Sequence, residues 1–235
     1  MTPTPSALLF DLQGTTADFY TPVVRALHAA FPASEYPGVD HDDLLARWRA
    51  GYFDQTGAEA ADDDWISVHA VYRTTLDEVL AEAGLVADDD LGEELTTTWQ
   101  HLEPWPDSIE GLTRLRTRFT TATLSNADVA AAVRITKGAG LPFDAVFTAE
   151  MAGAFKPDPR AYLTAARYLD TAPARIMMVA CHKYDLRAAA TLGMTSAFVA
   201  RPAEFGPSGS PDTDPDPGFT LNATDFIDLA EQLGC

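Results

Sequence analysis

The chain has 235 residues, 46% of them hydrophobic, which is enough for one large domain or for a core with a smaller insert. Its 16 basic and 35 acidic residues give a formal charge of −19, which argues against nucleic acid or an anionic membrane surface as partner. A small anionic substrate stays possible, because the local charge of a cleft can oppose the charge of the whole molecule.

The two cysteines, Cys181 and Cys235, form neither a disulfide framework nor a zinc-binding pattern. We therefore expect a reduced, cytoplasmic protein. No apolar run approaches the length of a membrane helix, and the first residues show no signal-peptide pattern. We expect no membrane partner.

The first predicted element is a short apolar strand over residues 7–11, typical of a buried parallel strand. It ends in Asp11, and the turn residues Gly14 and Thr15 follow at once. Ligands of open α/β sheets lie outside the carboxyl ends of the strands. A carboxylate at this position is a candidate nucleophile.

The next segment, residues 18–101, has helical periodicity and no predicted strand, so we interpret it as a helical insert. Its apolar residues recur at helical spacing in 23–31, 44–48 and 66–80. Loops are predicted at 32–40 and 56–64. The acidic clusters 62–64 and 88–90 are interpreted as solvated loops or helix N-termini, where negative charge is favoured.

Strands and helices alternate after residues 104–106, which predicts a doubly wound parallel sheet, Rossmann-like in class. The predicted strands are 120–125, 145–148, 176–180 and, as the last, 196–200. The predicted helices are 108–116, 128–139, 159–168 and 185–192. A loop rich in Pro, Gly, Ser and Asp is predicted on the surface over 202–219. The core therefore comprises 1–17 and 102–235, with a helical cap over 18–101.

Four polar residues fall at or just after predicted strand ends: Asp11, Ser125, Lys156 and Asp185. Parallel strands bring these ends to one edge of the sheet, so the four side chains are predicted to converge. Each has a simpler alternative. Ser125 and Asp185 could cap the helices that follow them, and Lys156 could be a solvated loop residue.

The motifs together resemble the haloacid dehalogenase superfamily. They are Asp11-Leu12-x-Gly14-Thr15, Leu124-Ser125-Asn126, Lys156-Pro157-Asp158 and a segment ending in Asp185. The finer pattern resembles the type II, or L-2-haloacid, dehalogenase branch. That pattern includes Trp48-Arg49 in the cap, Tyr162 after the lysine, and the run 178–186.

Gln13 separates this chain from the phosphatases of that superfamily. Phosphatases carry a second aspartate at this position, which protonates the leaving group and helps to hold Mg²⁺. A glutamine is neutral and cannot act as a general acid. The fourth motif of the phosphatases tends to carry two acidic residues that help to hold the metal, whereas this chain has only Asp185 there. We therefore predict a reaction without metal or other cofactor.

The resemblance implies a two-step displacement. Asp11 attacks the substrate carbon and expels halide, and water then hydrolyses the resulting ester. Lys156 would hold down the pKa of Asp11, and Asp185 would orient or deprotonate the water. Thr15 and Ser125 would hold the substrate carboxylate or the oxyanion, and Arg49 the carboxylate or the halide. The predicted substrate-binding residues are Leu12, Gln13, Asn126, Tyr162, His182 and Tyr184. Relatives of this branch are commonly dimers, so a homodimer is implied.

Four residues depart from the pattern of the branch: Gln13 replaces an aromatic residue, Ala180 a serine, His182 an asparagine, and Tyr184 a frequent tryptophan. They suggest a different substrate shape or polarity. His182 is either an added proton donor or a structural histidine, and Cys181 is interpreted as a packing residue. The alternatives are a same-fold hydrolase of a non-halogenated substrate, a Mg²⁺-dependent phosphatase, and a non-catalytic binding protein.

Overall fold

The computed structural model describes residues 4–56 and 65–235. The strands are β1 (Ala7–Phe10), β2 (Ala17–Asp18), β3 (Glu103–Pro104), β4 (Thr120–Ser125), β5 (Ala145–Thr148), β6 (Ile176–Ala180), β7 (Thr195–Val199) and β8 (Leu221–Ala223). The helices are α1 (Tyr20–Ala30), α2 (His41–Thr56), α3 (Val68–Glu82), α4 (Asp89–Thr97), α5 (Ser108–Arg116), α6 (Val129–Gly138), α7 (Pro159–Tyr168), α8 (Lys183–Thr191) and α9 (Phe226–Gln232). Within these ranges no helix is long and apolar enough to cross a membrane.

Six of the described strands form one parallel sheet in the order β5-β4-β1-β6-β7-β8. The chain begins in the middle at β1, continues outward through β4 and β5, and then crosses to β6 on the other side of β1. The carboxyl end of β1 therefore lies where the direction of winding reverses, which is where ligands of doubly wound sheets bind. The predicted Rossmann-like parallel sheet is confirmed.

The strands are apolar on both faces because helices cover both faces of the sheet. In β1, Leu8 and Phe10 belong to one hydrophobic cluster, whereas Ala7 and Leu9 belong to another. Side chains alternate between the two faces along a strand. This burial holds β1 in place. It therefore also fixes the backbone position of Asp11, the residue that follows β1.

Helices α1 to α4 lie between β2 and β3, which pair antiparallel where the predicted cap leaves the core and returns to it. Their interior is built on stacked aromatic rings. The Tyr72 ring lies 4.2 Å from the Trp99 ring and 4.7 Å from the Tyr52 ring, both nearly parallel. Such pairs add stability beyond the apolar area they bury. The boundaries at residues 18 and 101 remain our proposal.

The second acidic cluster of this segment begins a helix, as one of the two interpretations predicted. Asp88 precedes α4, and its carboxylate accepts a hydrogen bond from the Leu91 N–H at 2.9 Å. Asp89 and Asp90 occupy the first turn, where they oppose the positive end of the helix dipole. The first cluster, 62–64, lies outside the described residues.

One further strand and one further helix follow β7, so the prediction that 196–200 is the final strand was wrong. β8 has three residues, too few for a recognisable alternation. Asp225 is the N-cap residue of α9, and its carboxylate accepts a hydrogen bond from the Asp228 N–H at 2.7 Å. Its Phe226 packs so closely on α5 that a side chain at Gly111 would clash with it. Tertiary packing therefore stabilises this short helix.

The loop between β7 and β8 has no helix or strand, as predicted, but it is only partly a surface loop. Arg201 and Glu204 are buried. The Arg201 guanidinium donates two hydrogen bonds to the Asp107 carboxylate, at 2.7 and 2.9 Å, and one to the Thr15 carbonyl at 2.7 Å. Asp107 also accepts from the Phe226 N–H at 2.8 Å. One ion pair thus connects the loop with both the first turn of the core and α9.

Replacing Arg201 with methionine is expected to lower the free energy of unfolding by about 3 kcal/mol or more, because Asp107 is left as a buried charge without its partner. Urea unfolding followed by circular dichroism measures the change. Arg187→Met is the matched control, since the Arg187–Asp216 pair is exposed and is worth at most about 1 kcal/mol. Equal effects of the two substitutions would contradict the structural role assigned to Arg201.

Candidate active site

Asp11 follows β1 directly, and its carboxylate has three polar partners. Its backbone N–H donates to the Val179 carbonyl at 3.0 Å, which continues the sheet pairing by one residue. Lys156 Nζ lies 3.0 Å from Oδ1, whereas the Thr15 hydroxyl and His182 Nδ1 lie 2.9 and 3.0 Å from Oδ2. Burial by itself would raise the pKa of Asp11. The charge of Lys156 and the hydrogen bond from His182 outweigh it and hold that pKa well below its usual range.

Lys156 connects Asp11 to a second buried carboxylate, that of Asp185. Its Nζ lies 2.5 Å from Asp185 Oδ2, and the Tyr162 hydroxyl donates to Asp185 Oδ1 at 2.5 Å. Burial raises the pKa of Asp185, although Lys156 opposes the shift. Burial would lower the pKa of Lys156, but the two carboxylates raise it instead, so Lys156 is a permanent cation.

His182 occupies the N-cap position of α8, between two carboxylates. Its Nδ1 faces Asp11, and its Nε2 lies 2.7 Å from Glu204 Oε1. Burial would lower the pKa of His182, but the neighbouring Cys181 and Glu204 and the hydrogen bond to Asp11 raise it well above the usual 6.5. Glu204, His182 and Asp11 therefore form a chain of hydrogen bonds that ends at the candidate nucleophile.

Glu204 is a buried site residue that the sequence analysis missed, because it lies in a loop predicted to be on the surface. Gly14, in the turn after Asp11, has a φ of +85°, and a side chain there would clash with Glu204 Oε1. A residue at this position must therefore be glycine for two reasons, its backbone angle and the space that Glu204 occupies. The turn at Gly14 therefore leaves the space that the Glu204 carboxylate occupies.

Arg49 reaches the site from α2 in the helical segment. Its Nη1 donates to Gln13 Oε1 at 2.9 Å and to the Tyr72 hydroxyl. Its Nε is buried without a hydrogen-bond partner, and no carboxylate of the described residues lies within 4.0 Å, the ion-pair distance. Four aromatic rings surround its guanidinium carbon at 4.7–5.4 Å: Phe19, Tyr52, Phe53 and Trp99. A buried cation without a carboxylate partner is suited to an anionic ligand.

A cavity with an empty volume of ≈ 250 Å³ lies between Asp11 and Arg49. It is lined by Asp11, Gln13, Arg49, Tyr52, Phe53, Ser125, Asn126, Lys156, His182 and Tyr184. Arg49 and Phe53 also line a second, mainly apolar cleft of ≈ 980 Å³ between α2 and the loop after β7. The first cavity is the smaller of the two, and all of its lining side chains except Phe53 carry a polar group.

Four of the predicted site residues do not line this cavity: Leu12, Thr15, Tyr162 and Asp185. Tyr162 is fully buried and holds Asp185, which corrects its prediction as a substrate contact; the Leu12 side chain is equally buried. The Thr15 hydroxyl donates to Asp11 and accepts from the Cys181 N–H at 3.0 Å. Its one proton can go to Asp11 Oδ2 or, at 3.3 Å, to Cys181 Sγ, so the Thr15 hydroxyl connects the carboxylate with the turn at Cys181.

Ser125 is the last residue of β4, Asn126 follows it, and both line the cavity. The N-cap residue of α6 is Asp128, so Ser125 does not cap this helix. The Asn126 amide donates to the Lys156 carbonyl at 3.0 Å and accepts from the Lys156 N–H at 2.7 Å. This paired contact fixes the loop that carries Lys156.

The comparisons with known proteins agree with this geometry. The family model of haloacid dehalogenase-like hydrolases matches residues 5–193. The (S)-2-haloacid dehalogenase of Xanthobacter autotrophicus is 28% identical over 198 residues, which are 83% of this chain and 75% of that protein. An (S)-2-haloacid dehalogenase of Pseudomonas putida is 26% identical over 198 residues, 83% and 85% of the two chains.

Crystal structures of dehalogenases superpose closely on this chain. The L-2-haloacid dehalogenase PA0810 has 35% identity and a TM-score of 0.88, over 97% of this chain and 99% of the other. The defluorinating L-2-haloacid dehalogenase Rha0230 has 34% identity and a TM-score of 0.90, over 98% and 96%. Both fold and sequence are therefore shared along nearly the whole chain.

Proposed function

Since this chain belongs to the haloacid dehalogenase-like hydrolases, in the branch of the L-2-haloacid dehalogenases, we propose that it hydrolyses the carbon–halogen bond of a short 2-haloacid. One observation carries the proposal. A buried guanidinium without a carboxylate partner, that of Arg49, faces the ionised carboxylate of Asp11 across a small cavity. A substrate carrying an anionic group beside an electrophilic carbon fits between the two.

In the first step, Asp11 uses a carboxylate oxygen to attack C2 of the substrate. A C–O bond forms as the carbon–halogen bond breaks, and the halide leaves with the bonding electrons. Arg49 supplies the positive charge for the anionic groups, the substrate carboxylate and the departing halide. Lys156 keeps Asp11 ionised before the attack, so the enzyme needs no separate base for this step.

In the second step, esterification has removed the charge of Asp11, so His182 Nδ1 first gives its proton to solvent. Water then attacks Cγ of the Asp11 ester, and Nδ1 accepts a proton from that water. Glu204 holds the opposite nitrogen of the ring, which keeps the imidazole oriented and stabilises its charged form. The tetrahedral intermediate then collapses, the hydroxy acid leaves, and Asp11 is regenerated. The imidazole returns its proton to the leaving oxygen, and the second proton of the water passes from the Asp11 carboxyl to His182 Nδ1, which restores the ionised nucleophile.

This assignment differs from the role expected for Asp185. Both of its carboxylate oxygens are occupied, by Lys156 and by Tyr162, and it does not line the cavity. His182 does line the cavity and contacts Asp11. We therefore assign water activation to His182, whereas Asp185 positions Lys156.

Gln13 favours this reaction over phosphate-ester hydrolysis. Its side-chain oxygen accepts hydrogen bonds from both Arg49 and the Tyr72 hydroxyl, at 2.9 and 3.1 Å. It therefore positions the cationic group of the cap. The Gln13 side chain is neutral and its oxygen already accepts two hydrogen bonds. It therefore cannot serve as the general acid that protonates the leaving group of a phosphate ester.

A screen for halide release tests the proposed function. Two- and three-carbon 2-chloro, 2-bromo and 2-fluoro acids are incubated with the enzyme, with and without a chelator. We expect halide release that is indifferent to the chelator and is lost in Asp11→Asn, which keeps the shape of the side chain but not its nucleophilic charge. A Mg²⁺-dependent phosphatase activity, or halide release that survives in Asp11→Asn, would overturn the proposal.

A single turnover in H₂¹⁸O tests the ester intermediate. Water attacks Cγ of Asp11, so the first product carries an unlabelled oxygen from the protein, and the label stays in Asp11. Mass spectrometry of the product and of the peptide containing Asp11 measures both. Label in the first product would show that water attacks the substrate directly.

We infer that Phe53 limits the size of the substrate, because its side chain lines both the catalytic cavity and the wider apolar cleft. We expect Phe53→Ala to join them and to raise kcat/KM for 2-chlorohexanoate relative to 2-chloropropionate. Each methylene buried in the cleft is worth about 0.8 kcal/mol, or roughly fourfold. Phe205→Ala is the control, since it enlarges only the cleft. The same ratio in wild type and Phe53→Ala would contradict this role.

A further inference from the structure

Three side chains beside the nucleophile offer a sulfur, a nitrogen and an oxygen ligand to one point. The Cys181 Sγ, a His182 ring nitrogen and a Glu204 carboxylate oxygen all lie within 4.8 Å of one another. Cys181 and Glu204 are buried, and His182 is nearly so, unlike the exposed acidic groups that cluster on many protein surfaces. Cys181 has no part in the proposed reaction, so its place in this cluster needs another explanation.

The donor set matches the preference of Zn²⁺. Zn²⁺ binds thiolate, imidazole and carboxylate groups, and sites with three protein ligands keep a fourth position for water or another ligand. Glu204 Oε1 contacts His182 Nε2 at 2.7 Å, and Oε2 lies 3.6 Å from Cys181 Sγ. The carboxylate therefore already lies between the other two ligands. Small movements of one side chain would admit the ion.

The local charge also favours a divalent cation. Glu204 is the one carboxylate of the cluster, and it has no Lys or Arg ion-pair partner within the described ranges, whereas the neighbouring Asp11 is already paired with Lys156. Sequence spacing did not indicate a metal site, because Glu204 is 22 residues from His182 and lies in an irregular loop. Only the fold brings the third ligand to the adjacent cysteine and histidine.

We propose that Cys181, His182 and Glu204 form a binding site for a single Zn²⁺ ion, and that this ion inhibits the enzyme. Binding replaces the thiol proton of Cys181 and the proton shared by His182 Nε2 and Glu204, and both protons pass to solvent. No electron transfer is involved. The metal takes the place of the His182–Glu204 hydrogen bond.

The inhibitory part rests on the proposed function. With Zn²⁺ on Nε2, His182 is a weaker base at Nδ1, and Glu204 is no longer its partner. Ester hydrolysis should therefore slow more than ester formation. In the presence of Zn²⁺ we expect one halide per active site to be released in a burst, followed by little further turnover.

Titration with Co²⁺, which substitutes for Zn²⁺ and is coloured, tests binding without substrate. We expect one equivalent to give a thiolate-to-cobalt charge-transfer band and the visible bands of a four-coordinate ion, and Zn²⁺ to abolish both. Cys181→Ser retains the size of the side chain but not the thiolate, so it should lose the charge-transfer band. Cys235→Ser, at the other cysteine, should titrate like the wild type.

The outcomes separate the site from the reaction. A wild-type spectrum in Cys181→Ser, or no stoichiometric binding to the wild type, would overturn the metal site whatever the enzyme hydrolyses. Binding that depends on Cys181 in an enzyme that releases no halide would support the site and contradict the proposed function. Binding without inhibition of halide release would refute the inhibitory role. Circular dichroism of each variant checks that it is folded.

Discussion

Replacing Lys156 with methionine is expected to reduce halide release by roughly 10²- to 10³-fold, the range measured when a single electrostatic contact of an active site is removed. Lys156 is the only Lys or Arg side chain of the described residues that forms an ion pair with Asp11. Without it, burial and the nearby Asp185 both raise the pKa of Asp11. A protonated Asp11 is a poor nucleophile, so the rate of ester formation falls. Halide release under single-turnover conditions measures this step.

The same substitution has a distinct effect on stability. Asp11 and Asp185 are left as two buried carboxylates without their shared cation, which costs about 3–5 kcal/mol if both stay ionised. Protonation of one of them relieves part of this cost, so Lys156→Met should lose less stability at acidic pH than at neutral pH. Lys137→Met is the control, because Lys137 is exposed on α6. Wild-type rates of halide release in Lys156→Met would contradict the role of Lys156.

Replacing His182 with alanine is expected to slow ester hydrolysis by roughly 10²- to 10⁴-fold, the usual contribution of a general base. Ester formation should be affected less, because Lys156 still keeps Asp11 ionised. The variant should therefore accumulate the intermediate, visible as a mass increase of the intact protein after mixing with substrate. His101→Ala, at an exposed histidine, is the control. Fast turnover without accumulation would return the base role to Asp185.

Glu204→Gln tests how Glu204 acts through His182. In the free enzyme the pKa of His182 is well above 6.5, so the ring is protonated at neutral pH. Esterification removes the charge of Asp11 and with it part of that shift. Hydrolysis needs the neutral ring, so kcat should rise with pH through the pKa of His182 in the intermediate. Glu204→Gln lowers that pKa and moves the rise to lower pH. If kcat of Glu204→Gln depends on pH as it does in the wild type, then Glu204 does not act through His182 and only packs beside it.

The raised pKa of His182 also has a consequence for stability, with a definite sign. A group whose pKa is higher in the folded state binds its proton more tightly there. Its contribution is fully present below the unfolded value, near 6.5, and is lost as the pH rises through the folded value. Above neutral pH the wild type should therefore lose stability that His182→Ala, lacking this group, does not lose. Urea unfolding across the alkaline range checks this.

The sequence by itself determined the class of the fold. Short apolar runs alternating with helical periodicity are local patterns, and all five predicted strands match observed strands within one residue at each end. Asp11, Lys156 and Asp185 were found because parallel strands and the loops after them bring such residues to one edge. Gln13 and Arg49 were indicated by the resemblance, and the structure joins them by a hydrogen bond. All of these residues and elements could be predicted without knowing which distant segments of the chain contact one another.

Only the tertiary structure decided which of these side chains reach the cavity. Thr15 and Tyr162 were predicted to touch substrate, yet Thr15 binds Asp11 and Tyr162 binds Asp185. Glu204 lies in a loop whose composition predicts exposure, and its burial depends on Gly14 and His182, which are distant in the chain. Hydrophobic periodicity indicates which face of a single segment is exposed to solvent. The contacts of Glu204, in contrast, depend on how segments that are distant in the chain pack against each other. The base proposed for hydrolysis therefore followed from the fold.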